Sequence, residues 1–166
     1  KTGDYPHEFL DEFAKAGWLG IAMPREYGGA GLGITEACIL LSEIAASGAG
    51  TTGCAPIHFG IFPPVPIIKY GTEEQKRRYL PQLATGELRM AFSVTEPDAG
   101  TDTTRITTRA VRDGDDWVVS GQKVWTSNAK YAQKTLLLAR TTPFDQVTRK
   151  TKGMSLFMAD LDPNAC

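Results

Sequence analysis

The sequence predicts an α+β protein, in which an all-helical domain at residues 1–88 precedes an antiparallel β-barrel-like domain at residues 89–166. Apolar residues recur at intervals of three and four in the first half, and from Gly86 onward they alternate at every second position. A run of helices followed by a run of strands is typical of α+β proteins. The 166 residues, 42% of them hydrophobic, suffice for one medium domain or two small ones.

Glycine and proline divide the helical half into segments. Phe9, Leu10 and Phe13 have helical spacing and predict a first helix that ends at Gly17. A wide apolar stripe predicts a second helix over residues 35–46. Cys38 lies in that stripe, and we expect it to be a small buried hydrophobe.

Four prolines interrupt residues 51–70, so we expect only short helices there, at residues 57–61 and 65–69. The glycine-rich run at residues 28–33 has no preceding strand and is expected to be a connection, not a phosphate-binding loop. Thr72 and Gln75 form a capping box that predicts the start of the last helix.

The second half contains five strand-like runs and one hairpin signal. Asp113-Gly114-Asp115 predicts a tight turn between two of the strands, and the polar stretch at residues 143–152 predicts a surface loop. The predicted strands are residues 90–95, 106–111, 117–119, 134–140 and 154–160. Because the chain closes just after the last run, we expect a fragment with an incomplete sheet.

Composition excludes several classes of function. With 18 basic and 19 acidic residues the net charge is −1, which argues against nucleic-acid binding. The three cysteines and two histidines have no metal-site or disulfide-framework spacing. Since the chain contains no apolar run of about 18 residues and no signal-peptide pattern, we expect neither membrane insertion nor secretion.

Two segments differ in composition from segments that only support the fold. Residues 92–102, F-S-V-T-E-P-D-A-G-T-D, supply hydroxyls and accessible backbone N–H groups suited to a planar, anionic ligand. Residues 121–129, G-Q-K-V-W-T-S-N-A, place hydrogen-bonding groups beside the flat apolar ring of Trp125. Together the segments favour a cofactor that carries a heterocycle and phosphates.

In order and spacing, V-T-E-P-x-A-G-[ST]-D followed by G-x-K-x-W-[TI]-[ST]-N-A resembles the two signature segments of the acyl-CoA dehydrogenase family. The run at residues 17–29 and the run at residues 70–86 resemble the family's N-terminal helical domain, so the resemblance spans nearly the whole chain. It implies an FAD-dependent oxidoreductase whose C-terminal helical bundle is absent from this sequence.

Carried over by residue, the resemblance assigns groups of Phe92, Val94 and Thr95 to the pyrimidine side of the flavin. Trp125 would pack against the ring, and Ser127 stands where the family usually has a threonine that hydrogen-bonds flavin N5. Thr101 would lie near the phosphates and the acyl-CoA, in both the cofactor and the substrate site. The complete implied cofactor set is Phe92, Val94, Thr95, Thr101, Trp125, Thr126 and Ser127.

The family reaction converts an acyl-CoA thioester to the trans-2-enoyl-CoA, with hydride transfer to N5, as in fatty-acid β-oxidation. Its catalytic glutamate lies in the absent C-terminal domain, so we expect no catalytic residue in this chain. Glu96, Asp98 and Asp102 are expected to shape or cap a loop. The resemblance further implies an electron-transfer flavoprotein as acceptor, a homodimer or homotetramer, and a bacterial cytoplasmic or mitochondrial matrix location.

Two alternatives stay open. An acyl-CoA oxidase, or a related flavin monooxygenase or nitroalkane oxidase, would share these domains while delivering electrons to oxygen. A non-catalytic module could instead use the same scaffold for protein interaction, and the absence of bound flavin in the complete protein would favour it.

Overall fold

A computed structural model describes residues 6–162 of the chain. Contacts divide it into two compact units. The helical unit comprises the residues up to Met90 together with Tyr131–Gln133, and the β unit comprises Ala91–Lys130 and the chain from Lys134 onward. The α+β prediction is confirmed.

The described part of the helical unit, which begins at Pro6, contains five α-helices. They are α1 (His7–Lys15), α2 (Ile34–Ile44), α3 (Gly50–Ile61), α4 (Val65–Tyr70) and α5 (Glu73–Ala84). A 3-10 turn, Arg25–Tyr27, precedes α2, and a π-helical turn, Ala45–Ala49, follows it. The core of the unit is apolar and consists of Leu10, Leu19, Ile21, Ala37, Ile44, Ile57 and Ile61.

The capping box at the start of α5 is confirmed. The Gln75 N–H donates to the Thr72 hydroxyl at 3.2 Å, and the Thr72 N–H donates to the Gln75 side-chain oxygen at 2.9 Å. Each bond satisfies an N–H group that has no carbonyl partner within the helix.

Two expectations for the helical half were wrong. Cys38 is exposed, because the face of α2 that turns inward is centred on Ala37 and Ile44. Helix α3 is longer than predicted and runs through Pro56. The break between α2 and α3 lies at Gly48 and Gly50, where the sequence predicts the end of the second helix, and their φ values of 92° and 55° are accessible mainly to glycine.

The glycine-rich connection contains one very close backbone approach. A Cβ added to Gly29 would lie 2.5 Å from the Met23 carbonyl carbon, and the backbone cannot yield as a flexible side chain could. We expect Gly29→Ala to lower the free energy of unfolding by about 2 kcal/mol, measured by urea denaturation. Gly33→Ala is the matched control, since its Cβ would meet only a side-chain oxygen of Glu36, at 3.1 Å, and equal losses would contradict the prediction.

The β unit is built on one five-stranded sheet. Its strands are β1 (Met90–Ser93), β2 (Arg109–Asp113), β3 (Asp116–Ser120), β4 (Lys134–Arg140) and β5 (Met154–Asp160). Both β1 and β2 pair with β4, β3 pairs with β2, and β5 runs antiparallel along the whole of β4. The hairpin between β2 and β3 is confirmed, with Asp113 opposite Asp116. The sheet is mixed and not wholly antiparallel, because β2 meets β4 in parallel at Arg109 and Arg140.

Arg140, at the end of β4, has an unusual environment. Its side chain is buried, and its guanidinium donates to the backbone carbonyls of Ile106 at 3.0 Å, Lys150 and Lys152 at 3.3 Å, and Thr104. These bonds join the end of β4 to the segments on either side of it.

Candidate functional site

The first signature segment leaves β1 and turns immediately. The Glu96 N–H donates to the Ala99 carbonyl at 2.9 Å, and the Ala99 N–H donates back at 3.2 Å, which closes a four-residue turn. Further along, the Asp102 carboxylate accepts the Thr104 N–H at 3.2 Å and caps a 3-10 turn, Thr103–Arg105. Hydrogen bonds from Thr104 lower the pKa of Asp102. This geometry agrees with the expected capping role of Asp102.

The second signature segment, which leaves β3, lies against the first. The Val124 N–H donates to the Thr95 carbonyl at 2.9 Å. The Thr126 hydroxyl donates to the Ser93 Oγ at 3.4 Å, and Ser93 in turn pairs with the Thr135 hydroxyl at 2.7 Å in the buried sheet. The two segments that the sequence singled out are therefore neighbours in space.

A buried ion pair joins the same two segments. The Lys123 Nζ lies 2.9 Å from a carboxylate oxygen of Glu96 and also donates to the Val94 carbonyl at 2.9 Å. Only 9% of the Lys123 side chain and 4% of the Glu96 side chain are exposed. No role for Lys123 was predicted from the sequence. The signal that could have found the pair is the occurrence of one charge in each segment, with opposite signs.

The Glu96 carboxylate is saturated with donors. Besides Lys123, it accepts the Thr107 N–H at 2.7 Å, the Thr107 hydroxyl at 2.8 Å and the Thr108 N–H at 2.9 Å. Burial by itself raises the pKa of this carboxyl, but the hydrogen bonds from Thr108, Thr107 and Lys123 outweigh burial and lower its pKa to about 2. Such a carboxylate is a poor general base, because its lone pairs are occupied and its proton affinity is low.

Trp125 has the most unusual conformation in the site. Its φ is 58°, in the left-handed region that bulky residues avoid, and 87% of the residue is exposed. Exposure of an indole recovers none of the hydrophobic free energy that would offset backbone strain. Strain of this kind, held by surrounding bonds, is typical of functional sites.

Three hydroxyls of the two segments are available to a ligand. Ser127 and Thr101 are exposed, Thr95 is half-buried, and within residues 6–162 no hydrogen-bond partner is found for their hydroxyls. Phe92 and Val94 are half-buried at the end of β1. An exposed aromatic plate beside such hydroxyls suits a flavin ring with polar edges, so the residues present fit the implied cofactor.

Within residues 6–162, no group of three His, Cys, Asp or Glu side chains lies close enough to hold a metal ion. In the same range, none of the helices combines the length and apolar character needed to cross a membrane.

Comparison with known proteins identifies the class to which this scaffold belongs. The model of the acyl-CoA dehydrogenase N-terminal domain matches residues 1–87, and the model of the middle domain matches residues 91–165. The chain therefore belongs to the acyl-CoA dehydrogenase family, whose members are flavoprotein oxidoreductases.

Three individual proteins illustrate the similarity. Acyl-CoA dehydrogenase FadE26 of Mycobacterium tuberculosis is 40% identical over 95% of this chain and 38% of its own length. The ChsE4-ChsE5 complex of the same organism matches 92% of this chain and 39% of the solved chain, with 39% identity and a TM-score of 0.81. A variant of the Tcur3481-Tcur3483 steroid ACAD matches 95% of this chain and 40% of the solved chain, with 39% identity and a TM-score of 0.78. The chain thus spans about two fifths of the length of these relatives.

Proposed function

We propose that this chain forms the first part of an FAD-dependent acyl-CoA dehydrogenase, which oxidises an acyl-CoA thioester to the trans-2-enoyl-CoA. The observation that carries the proposal is Trp125, a strained and exposed tryptophan in the second of the two joined segments. An indole in this state has no evident value for folding, whereas it provides a flat surface for a flavin.

The residues would divide the binding of FAD between them. Trp125 would cover the flavin ring, and the Ser127 hydroxyl would donate to its N5 edge. Phe92, Val94 and Thr95, at the end of β1, would line the pyrimidine side of the ring. Thr126 anchors its segment to Ser93, which fixes Ser127 beside Trp125.

Thr101 would extend the site toward the phosphates of FAD and toward the acyl-CoA. Its hydroxyl is exposed on the segment that follows the Glu96 turn. A short hydroxyl side chain leaves room for a bulky ligand while it supplies one donor and one acceptor.

Bound flavin would supply the hydride acceptor of the reaction. The residues of this chain would position and shield the ring. Within residues 6–162 Glu96 is the only buried carboxylate, and its donors hold it ionised and occupied. We therefore place the catalytic base outside this chain.

Relatives suggest candidates for the substrate and the assembly. A steroid ACAD and the ChsE4-ChsE5 complex both match at 39% identity, so a steroid-derived acyl-CoA and association with a second, different polypeptide are to be tested. Straight-chain acyl-CoA and a homodimer or homotetramer are the other possibilities. We further propose an electron-transfer flavoprotein as acceptor, and a cytoplasmic location.

The test is the absorption spectrum of the full-length protein before and after anaerobic addition of straight-chain, branched and steroid-derived acyl-CoAs. We expect a flavin spectrum that one of these thioesters bleaches in the absence of oxygen. A protein that neither contains nor takes up FAD would overturn the proposal and favour a non-catalytic scaffold.

The same sample separates a dehydrogenase from an oxidase. Once the flavin has been reduced by substrate, air is admitted and the return of the oxidised spectrum is timed. Slow return in air with fast return on adding an electron-transfer flavoprotein is expected. Fast return in air alone, with stoichiometric peroxide, would favour the acyl-CoA oxidase alternative.

A further inference from the structure

The residues on either side of Trp125 are all bonded to one short stretch of chain. Lys123 bonds to Val94 and Glu96, the Val124 N–H bonds to the Thr95 carbonyl, and Thr126 bonds to Ser93. We call these bonds the latch. Trp125 itself stands between them, and its carbonyl accepts the Ser127 N–H at 2.9 Å.

The latch accounts for the conformation of Trp125. A left-handed backbone costs a non-glycine residue roughly 1–2 kcal/mol, so an isolated loop would relax toward negative φ. Rotation of Trp125 would carry Lys123 away from its two acceptors, or Thr126 away from Ser93. Because Lys123 is buried, its ammonium would then lose partners that water cannot replace at that position.

The loss would fall on both members of the ion pair. Glu96 accepts from Lys123 and from the start of the segment that leads into β2 through Thr107 and Thr108. Glu96 is therefore held in place by bonds from outside the Trp125 segment. Within residues 6–162, Lys123 is the only charged group of that segment that reaches it.

We propose that Lys123 is a positioning residue, which acts through Val94 and Glu96 to hold the Trp125 indole in its flavin-facing orientation. The inference rests on the proposed FAD site, and it goes beyond that site by assigning the orientation of its aromatic wall to a lysine whose ammonium is buried against Val94 and Glu96.

The experiment compares Lys123→Met, Lys123→Arg and Arg140→Met in the full-length protein. Methionine keeps the length of the lysine stem and removes the charge, whereas arginine keeps a donor group. Arg140→Met is the matched control, because it also removes a buried cation that donates to backbone carbonyls, but outside the latch. Each variant is measured for its FAD dissociation constant, its flavin absorption band shape and its midpoint of thermal unfolding.

We expect Lys123→Met to weaken FAD binding by about tenfold or more and to alter the flavin band shape, with Lys123→Arg recovering most of the affinity. Arg140→Met should lower the unfolding midpoint while its FAD affinity stays within about twofold of the parent. The proposal is overturned if Lys123→Met leaves both FAD properties unchanged, or if Arg140→Met alters them equally. If Lys123→Met does not fold, Lys123→Gln replaces it, because its amide can still donate to one of the two acceptors; weaker FAD binding or an altered band shape then supports the proposal, and values equal to those of the parent overturn it. Failure of the parent protein to bind FAD would instead overturn the proposed function.

Discussion

Acidification from pH 4.5 toward pH 2 is expected to remove on the order of 3 kcal/mol of stability through Glu96 alone. The pKa of this carboxyl is 4.5 when unperturbed and about 2 in the folded chain. A depressed folded pKa means that the contribution is complete above pH 4.5 and is lost as the pH falls through the folded value. The cause is the set of donors from Thr108, Thr107 and Lys123, which favour the ionised form more than burial disfavours it.

The measurement is thermal unfolding of the parent chain and of Glu96→Gln between pH 7 and pH 2. An amide at this position must direct its NH₂ group at one of the existing donors, so Glu96→Gln is expected to be destabilised at pH 7. The gap between the two proteins should close as the pH approaches 2. Asp98→Asn, on the exposed tip of the same turn, removes an equal charge without touching the latch, and serves as control. A gap that stays constant over the whole range would show that Glu96 does not carry the acid sensitivity.

Local chemistry was sufficient to predict much of the fold. The bounds of β4 and β5 agree with the predicted runs, since alternating apolar residues bounded by polar loops leave little freedom in placing a strand. The hairpin at Gly114 and the capping box at Thr72 also depend only on residues near in sequence. Such features are recognisable because their partners are a few positions apart.

Features that depend on packing could not be predicted in the same way. Cys38 faces outward although it lies in an apolar stripe, because the contacts of α2 decide which part of a wide stripe is covered. The extension of α3 through Pro56 likewise depends on its surroundings, which override the low helix propensity of proline.

The candidate site likewise has features that the sequence predicts and features that depend on the folded structure. Its two segments could be located from their letters and spacing, but the bond that joins them connects residues 27 positions apart, Glu96 and Lys123. Sequence alone did not indicate that these charges meet. The left-handed Trp125 could not be foreseen either, since that conformation is expected of glycine and asparagine. Asn128, in the same segment, also has a left-handed backbone, at φ 69°, but asparagine adopts that conformation readily.

Trp125→Gly is expected to separate stability from cofactor binding. Glycine adopts φ 58° without strain, which recovers roughly 1–2 kcal/mol, and its greater freedom in the unfolded chain costs about 0.5–1 kcal/mol. The variant without cofactor should therefore be as stable as the parent or more stable by up to about 1.5 kcal/mol. Its FAD affinity should fall by about a hundredfold, because the aromatic surface is gone and the segment is freed.

Trp117→Gly is expected to lower stability without affecting cofactor binding, which is the opposite of the effect of Trp125→Gly. Trp117 lies in β3 on extended backbone and packs against Phe157 with ring centroids 5.2 Å apart. Glycine there loses that contact and weakens the strand, so we expect lower stability with FAD affinity nearly unchanged. Urea unfolding without cofactor and FAD titration of both variants give the comparison. If Trp125→Gly is destabilised as much as Trp117→Gly, the indole of Trp125 has a role in folding and its strain is not maintained for a ligand.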